Sequence, residues 1–316
     1  MIMTRSFSAF FVAASLLAAG SMAGCKKDQS TTGEVAQAAQ GGFAEGYNEL
    51  IDDPKDLVKN YFETFDREKG PDAASKDKPR LRGGSFTSKN AIDKAKKSFA
   101  EAKAAVPTSM KDMPPLADAA ANAAQKVFDT YTAMEKYLEA EDYKDDAWAK
   151  GKQIHGDMVA AAEAYDKAID VFGAALDAVE DVQMEAELKK QSKGSYGYTF
   201  RYGNMQAKKL IGALQKPEDA ETFRPAFKAA WAAFEPIAGE VSTFVTGKGD
   251  KINSTFKSWA DNVDDIVAEC KKLARDLDKA DGQQISNALN SIISNYNSMV
   301  SLANSLQSLE QNNLLK

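Results

Sequence analysis

Between Ile154 and Val179, eight side chains recur at steps of three and four residues: Ile154, Met158, Ala161, Tyr165, Ala168, Phe172, Leu176 and Val179. That spacing places all of them on one face of a helix. The other face alternates in charge through Lys152, Asp157, Glu163, Asp166, Lys167 and Asp170, and no glycine or proline interrupts the run from Asp157 to Val171. A helix of this length with one narrow apolar stripe needs partner helices to cover it. The segment therefore dictates what the remaining chain must supply.

The remaining chain supplies helices. Ser88 opens one with Ile92, Ala95, Phe99 and Ala102 on one side, and Pro114 and Pro115 open another carrying Ala120, Ala124, Val127, Tyr131, Met134 and Leu138. The cleanest stripe is Ile252, Phe256, Trp259, Val263, Ile266, Cys270, Leu273 and Leu277, in which steps of four and three alternate without a miss. Earlier, Asp53-Pro54 marks either a fresh helix start or a kink after Tyr47, Leu50 and Ile51. Residues 66–86 lack apolar periodicity and read as a loop. No stretch alternates with a period of two between turns. The expected class is all-α, an elongated bundle of long antiparallel helices, either one body or two sub-bundles meeting near residues 194–200.

The chain starts MIMTRSFSAFFVAASLLAAGSMAGC, with Arg5 as the only charge before an apolar run and a small-residue exit. This is the pattern of a secretory signal, too short to span a membrane comfortably. Cys25 directly after Ala-Gly resembles a bacterial lipobox. Such sequences are cut just before the cysteine and acylated on it, and several acyl chains anchor durably where one does not. Lys26 and Lys27 follow, and by resemblance to enteric lipoproteins they favour the outer membrane, facing the periplasm of a Gram-negative-type bacterium. The expected organisation is a signal peptide over 1–24, an acylated cysteine with a flexible tether over 25–43, and a helical-bundle domain over 44–316.

Charge narrows the partners. The formal net charge is -6, and removing the signal with Arg5 makes it -7. An acidic chain without a basic block argues against nucleic acid. There are two cysteines in the chain. With Cys25 acylated, Cys270 has no partner within the chain, so no disulfide is expected despite an oxidising compartment. Cys270 lies on a perfect stripe and reads as a buried apolar residue.

Candidate chemistry is thin. His155 is the single histidine. Histidine-based zinc sites and Ser-His-Asp catalysis therefore have little to draw on, and its apolar neighbours favour packing over catalysis. Glu139, Glu141, Asp142, Asp145 and Asp146 lack the alternating ligands and turn glycine of a calcium loop, which leaves helix capping by Asp145 or Asp146. No glycine-rich phosphate loop, paired-cysteine motif or serine elbow is present, so no metal or cofactor is expected. Tyr196, Tyr198, Phe200 and Tyr202, preceding a helix with Met205, Leu210, Ile211 and Leu214, either stack on a ligand such as a glycan or plug a junction between helical layers. His155 joins those rings as the candidate ligand-binding set. From Gly282 to Leu309 there is no charged residue, which suits either a sandwiched helix or one turned toward another protein.

YNELI at 47–51 and YNSMVSLAN at 296–304 resemble the terminal Tyr-Asn signatures of the YiiG-type (DUF3829) bacterial lipoprotein family. YLEAEDYKDDAWAKGKQIHGDMVAAAEAYD, from Tyr137, resembles that family's central segment through Tyr143, Asp145, Asp146, Gly151, Lys152 and His155. Pro54 departs from the first signature. The resemblance implies a helical, membrane-anchored lipoprotein and carries over no catalytic residue. The expected role is a non-enzymatic interaction or envelope-maintenance module with an envelope protein as partner; the alternative is a periplasmic binder of small ligands. The paired tyrosines also predict that the first and last helices share one core through Tyr61 and Tyr296.

Overall fold

The computed structural model describes residues 31–71, 79–217 and 219–315, with side chains from residue 38 onward. Among these residues there are helices and turns and no strand. The helices are α1 (Thr31–Ile51), α2 (Asp53–Thr64), α3 (Ser85–Lys103), α4 (Met113–Glu139), α5 (Tyr143–Asp146), α6 (Ala149–Lys189), α7 (Tyr196–Gln215), α8 (Ala220–Lys248), α9 (Ser254–Asp276) and α10 (Gly282–Gln311). Local chemistry sets their starts. The side chains of Ser195, Asp219, Asn253 and Asp281 each accept a backbone N–H three residues on, and Asp281 with Gln284 completes a capping box. Pro54 sits in the first turn of α2, so the chain restarts at Asp53 and does not merely kink.

The chain forms two compact units that divide between Val179 and Glu180, inside α6 and upstream of the expected 194–200. In the first unit α1 and α2 run one way and α3 returns. Residues Gly42 and Gly46 of α1 pass close to Ala102 and Phe99 of α3, so their order runs oppositely. Lys96 meets Gln125 and Lys103 meets Asp118, turning α4 against α3. The amino-terminal part of α6 then runs back along α1, with Tyr165 donating to the Leu50 carbonyl at 2.5 Å. The core rings interlock edge to face: Phe172 lies 6.4 Å from Phe43, 5.6 Å from Tyr47 and 5.4 Å from Phe99.

The second unit repeats the up-down-up-down plan with α7, α8, α9 and α10. Every member of the α9 stripe from Phe256 to Leu277 is buried, Cys270 among them. Burial pushes the Cys270 thiol up to about 12, which makes it inert as a nucleophile at neutral pH. A short ion pair, Arg201–Glu310 at 2.6 Å, joins α7 to α10, and Lys208, itself buried, pairs with Glu180 at 2.7 Å.

Two expectations are corrected, and one choice left open is resolved. The tether was expected to reach residue 43, but α1 is already helical from Thr31, with Ala39, Gln40 and Phe43 buried. Its small residues are what allow this: a Cβ at Gly42 would come within 3.0 Å of the Ala102 methyl, so α1 and α3 approach more closely than larger side chains permit. Tyr61 and Tyr296 do not share a core, since Tyr61 is buried in the first unit and Tyr296 packs on the core of the second. The uncharged last helix is not sandwiched. Gln284, Asn287, Ser291, Ser294, Ser298, Ser301, Ser305 and Ser308 form an exposed stripe along α10. The signal peptide and Cys25 lie outside the described residues.

Candidate functional site

The four rings at 196–202 do not form one cluster ahead of a helix, because Tyr196 begins α7. Residues two apart on a helix point to opposite sides, whereas those four apart share a face. The set accordingly splits into two pairs. Tyr196 and Phe200 are core residues; Tyr196 lies 5.1 Å from Phe244 and 4.9 Å from Phe256, edge to face in both cases. Lys248 covers the Tyr196 ring, with its Nζ 4.6 Å from the centroid. Tyr198 and Tyr202 are half-buried and stack on each other at 5.5 Å. The four rings therefore present no common face, and they belong to the second unit while His155 belongs to the first.

The first unit holds a denser constellation where α2, α4 and α6 converge. The connection after α4 carries three non-glycine residues in left-handed conformation: Glu141 (φ 59°), Ala147 (φ 48°) and Trp148 (φ 70°). Such conformations persist only where surrounding contacts over-determine them. The contacts here are explicit. Trp148 stacks on Tyr143 at 4.7 Å and meets Tyr137 and Phe65 edge on. Gly151 makes room beneath, since a Cβ there would stand 2.8 Å from both the Trp148 and Tyr137 rings. The Tyr137 hydroxyl donates to Asp146 at 2.6 Å, and Asp146 also accepts the Lys150 N–H at 3.0 Å. Asp146 thus caps α6, as the acidic tract was expected to do. That tyrosine bond, helped by backbone N–H groups, holds the Asp146 carboxyl below its ordinary range.

One turn further along α6, His155 is buried. Its ring stacks on Tyr61 at 5.7 Å and meets Phe62 edge on at 6.1 Å. Its Nε2 lies 3.1 Å from the carbonyl oxygen of Arg67. The turn that presents this carbonyl is built by Asp66, whose side chain accepts the N–H groups of Glu68 and Lys69, and by Gly70 at φ +67°. A Cβ at Gly70 would come within 2.9 Å of the His155 ring, so only glycine lets the turn lie there. Outside, Arg67 covers Phe62 at 4.9 Å and pairs with Glu163.

The sequence reading singled out His155 but missed Tyr61, Phe62, Tyr137 and Trp148 as its company. The available signal was the dense aromatic run of α2, Tyr61-Phe62 and Phe65, next to an Asp-x-x-x-Gly turn. Among the described residues, no group of three or more His, Cys, Asp or Glu side chains is placed to hold a metal ion.

Residues 43–311 match the family described as "Protein of unknown function (DUF3829)". A relative, "Uncharacterized protein YiiG" of Escherichia coli (strain K12), is 29% identical over 208 residues, which is 59% of this chain and 56% of that protein. The chain thus spans little more than half the length of that relative. No solved structure matches.

Proposed function

We propose, from the premise that this chain belongs to the DUF3829 family of bacterial proteins, that it works as a membrane-anchored envelope lipoprotein with a non-enzymatic, partner-binding domain. Residues 1–24 direct export, Cys25 carries the acyl chains, and the helical domain faces the periplasm from the outer membrane. The sequence pattern ending in Cys25 supports the anchoring. No helix among the described residues is long and apolar enough to cross a membrane, so the reading places the membrane attachment at the lipid.

The observation that carries the partner-binding role is the exposed face of α10. Ordinary surface helices carry charge toward water, as α9 does with Asp261, Asp264, Asp265, Lys271 and Lys272. The α10 stripe carries amides and hydroxyls, and two of the hydroxyls are turned back onto the helix. Ser298 donates to the Ser294 carbonyl at 3.1 Å and Ser305 to the Ser301 carbonyl at 3.4 Å. The result is a smooth uncharged face that another protein can cover without desolvating ions. The alternative of a ligand stacked on the rings at 196–202 is less well supported, because Tyr196 and Phe200 are core residues.

Photo-cross-linking in intact cells tests this. Probes at Ser294 and Ser301 are expected to give the same discrete adduct, while a probe at Lys271 on α9 gives none. Equal labelling from both helices, or none from α10, contradicts the reading.

A further inference from the structure

His155 and Tyr61 pose a hydrogen-bonding problem that their neighbours leave open. The Arg67 carbonyl can only accept, so the Nε2 it faces at 3.1 Å must carry the proton. In the neutral ring this makes Nδ1 a bare acceptor. Nδ1 is buried without a partner, and His155 is only 7% exposed. On the ring stacked against it, the Tyr61 hydroxyl is also buried without a partner, on a residue that is 0% exposed. The two rings stack with their centroids 5.7 Å apart, so the unmet acceptor and the unmet donor sit on two rings in contact. Buried polar groups in folded proteins are almost always satisfied, and each that is not calls for an explanation.

The surroundings limit what can satisfy them. Phe62, Phe65 and Tyr131 line the Tyr61 ring at 5.4, 5.2 and 6.5 Å, and the Tyr131 hydroxyl is already committed to the Arg82 carbonyl. The charged groups nearby, Asp66, Arg67 and Glu163, are all exposed. A charged ligand would therefore lose its hydration among aromatic rings without a buried counter-charge. A hydroxyl is the smallest neutral group whose single oxygen both accepts from a phenol and donates to an imidazole. We infer that the corner between α2 and α6 is a binding site for a single neutral hydroxyl, which accepts from Tyr61 Oη and donates to His155 Nδ1. This hydroxyl ties the end of α2 to the start of α6. It also fixes the His155 tautomer that holds the Asp66–Gly70 turn. Its source is either a trapped water or the hydroxyl of a small neutral molecule.

Because His155 is the single histidine, labelling histidine with nitrogen-15 in the mature chain gives one imidazole to read. The expected result is an Nε2–H tautomer whose Nδ1 signal is shifted as a hydrogen-bonded acceptor, with no scalar coupling to the Tyr61 hydroxyl proton. Tyr61→Phe, which keeps the ring, is expected to return the Nδ1 signal toward that of a free acceptor. Transfer of magnetisation from solvent to this corner after refolding in plain buffer identifies water. Loss of the shift on refolding, with release of a small neutral compound seen by mass spectrometry, identifies an organic hydroxyl. A direct coupling between Tyr61 Hη and His155 Nδ1 overturns the inference, because the two side chains then satisfy each other. An unshifted Nδ1 in the native chain, or the opposite tautomer, overturns it as well.

Discussion

The indole N–H of Trp259 donates to the side-chain oxygen of Asn204 at 2.9 Å, and both residues are sealed from solvent. The bond joins α7 to α9 across the second unit, where Gly203 brings the two helices close. A Cβ there would lie 2.7 Å from the indole. Asn204→Ala leaves a buried donor unpaired, a loss of about 1–3 kcal/mol. The Asn204 amide nitrogen is itself unpartnered, so its removal offsets part of that cost and puts the loss at the lower end. Denaturant unfolding measures it. In a Trp259→Phe background, which has no indole donor, the effect of Asn204→Ala should shrink.

Glycine substitutions should change sign with packing. Gly173 lies under Tyr47, where a Cβ would come within 2.6 Å of the phenol oxygen. Gly173→Ala is expected to destabilise by about 1–3 kcal/mol, as overpacked cores do. Gly239 is exposed inside α8 with nothing within 4 Å of such an atom, so Gly239→Ala should stabilise by about 1 kcal/mol through helix propensity. Two melts of the same sign contradict this.

The first core rests on Phe172. Its ring meets three others edge to face and is fully buried. Phe172→Ala should cost about 3–5 kcal/mol by chemical denaturation. Hydrogen exchange should quicken in α1 and α3, which supply the facing rings.

Asp146 gives a pH dependence. Its carboxyl is depressed from the ordinary value of 3.8, first by the Tyr137 hydroxyl and then by backbone N–H groups. A group depressed in the folded state contributes stability above its unfolded value, and that contribution disappears as pH falls through the folded value. Asp146→Asn should therefore melt below the wild type at neutral pH, with the gap closing as pH drops below 3.8. A gap that persists undiminished in acid would show that charge is not what the position supplies.

These residues also show what could be read in advance. The α9 stripe was legible because steps of four and three survive any change of partner, and each of its members from Phe256 to Leu277 is buried. Asp146 as a cap was legible because capping is local. The company of His155 was not, since Tyr61 and the Arg67 carbonyl reach it across about ninety residues of chain, a pairing that no periodicity encodes. The rings at 196–202 misled for a related reason. Alternation suggests one cluster only until the helix start is known, and Ser195 capping Tyr198 puts that start ahead of all four. The α1 helix was hidden by its glycines and alanines, which read as a linker but serve close packing against α3.

Anchoring through Cys25 is tested most directly by the mass of the amino-terminal peptide from membrane-extracted native protein. The expected result is a chain starting at Cys25 with acyl chains on that residue, and Cys25→Ser is expected to move the protein from the membrane pellet to a soluble or unprocessed form. An unmodified Cys25 in the native protein, together with unchanged recovery of the variant in a carbonate-washed pellet, would contradict it.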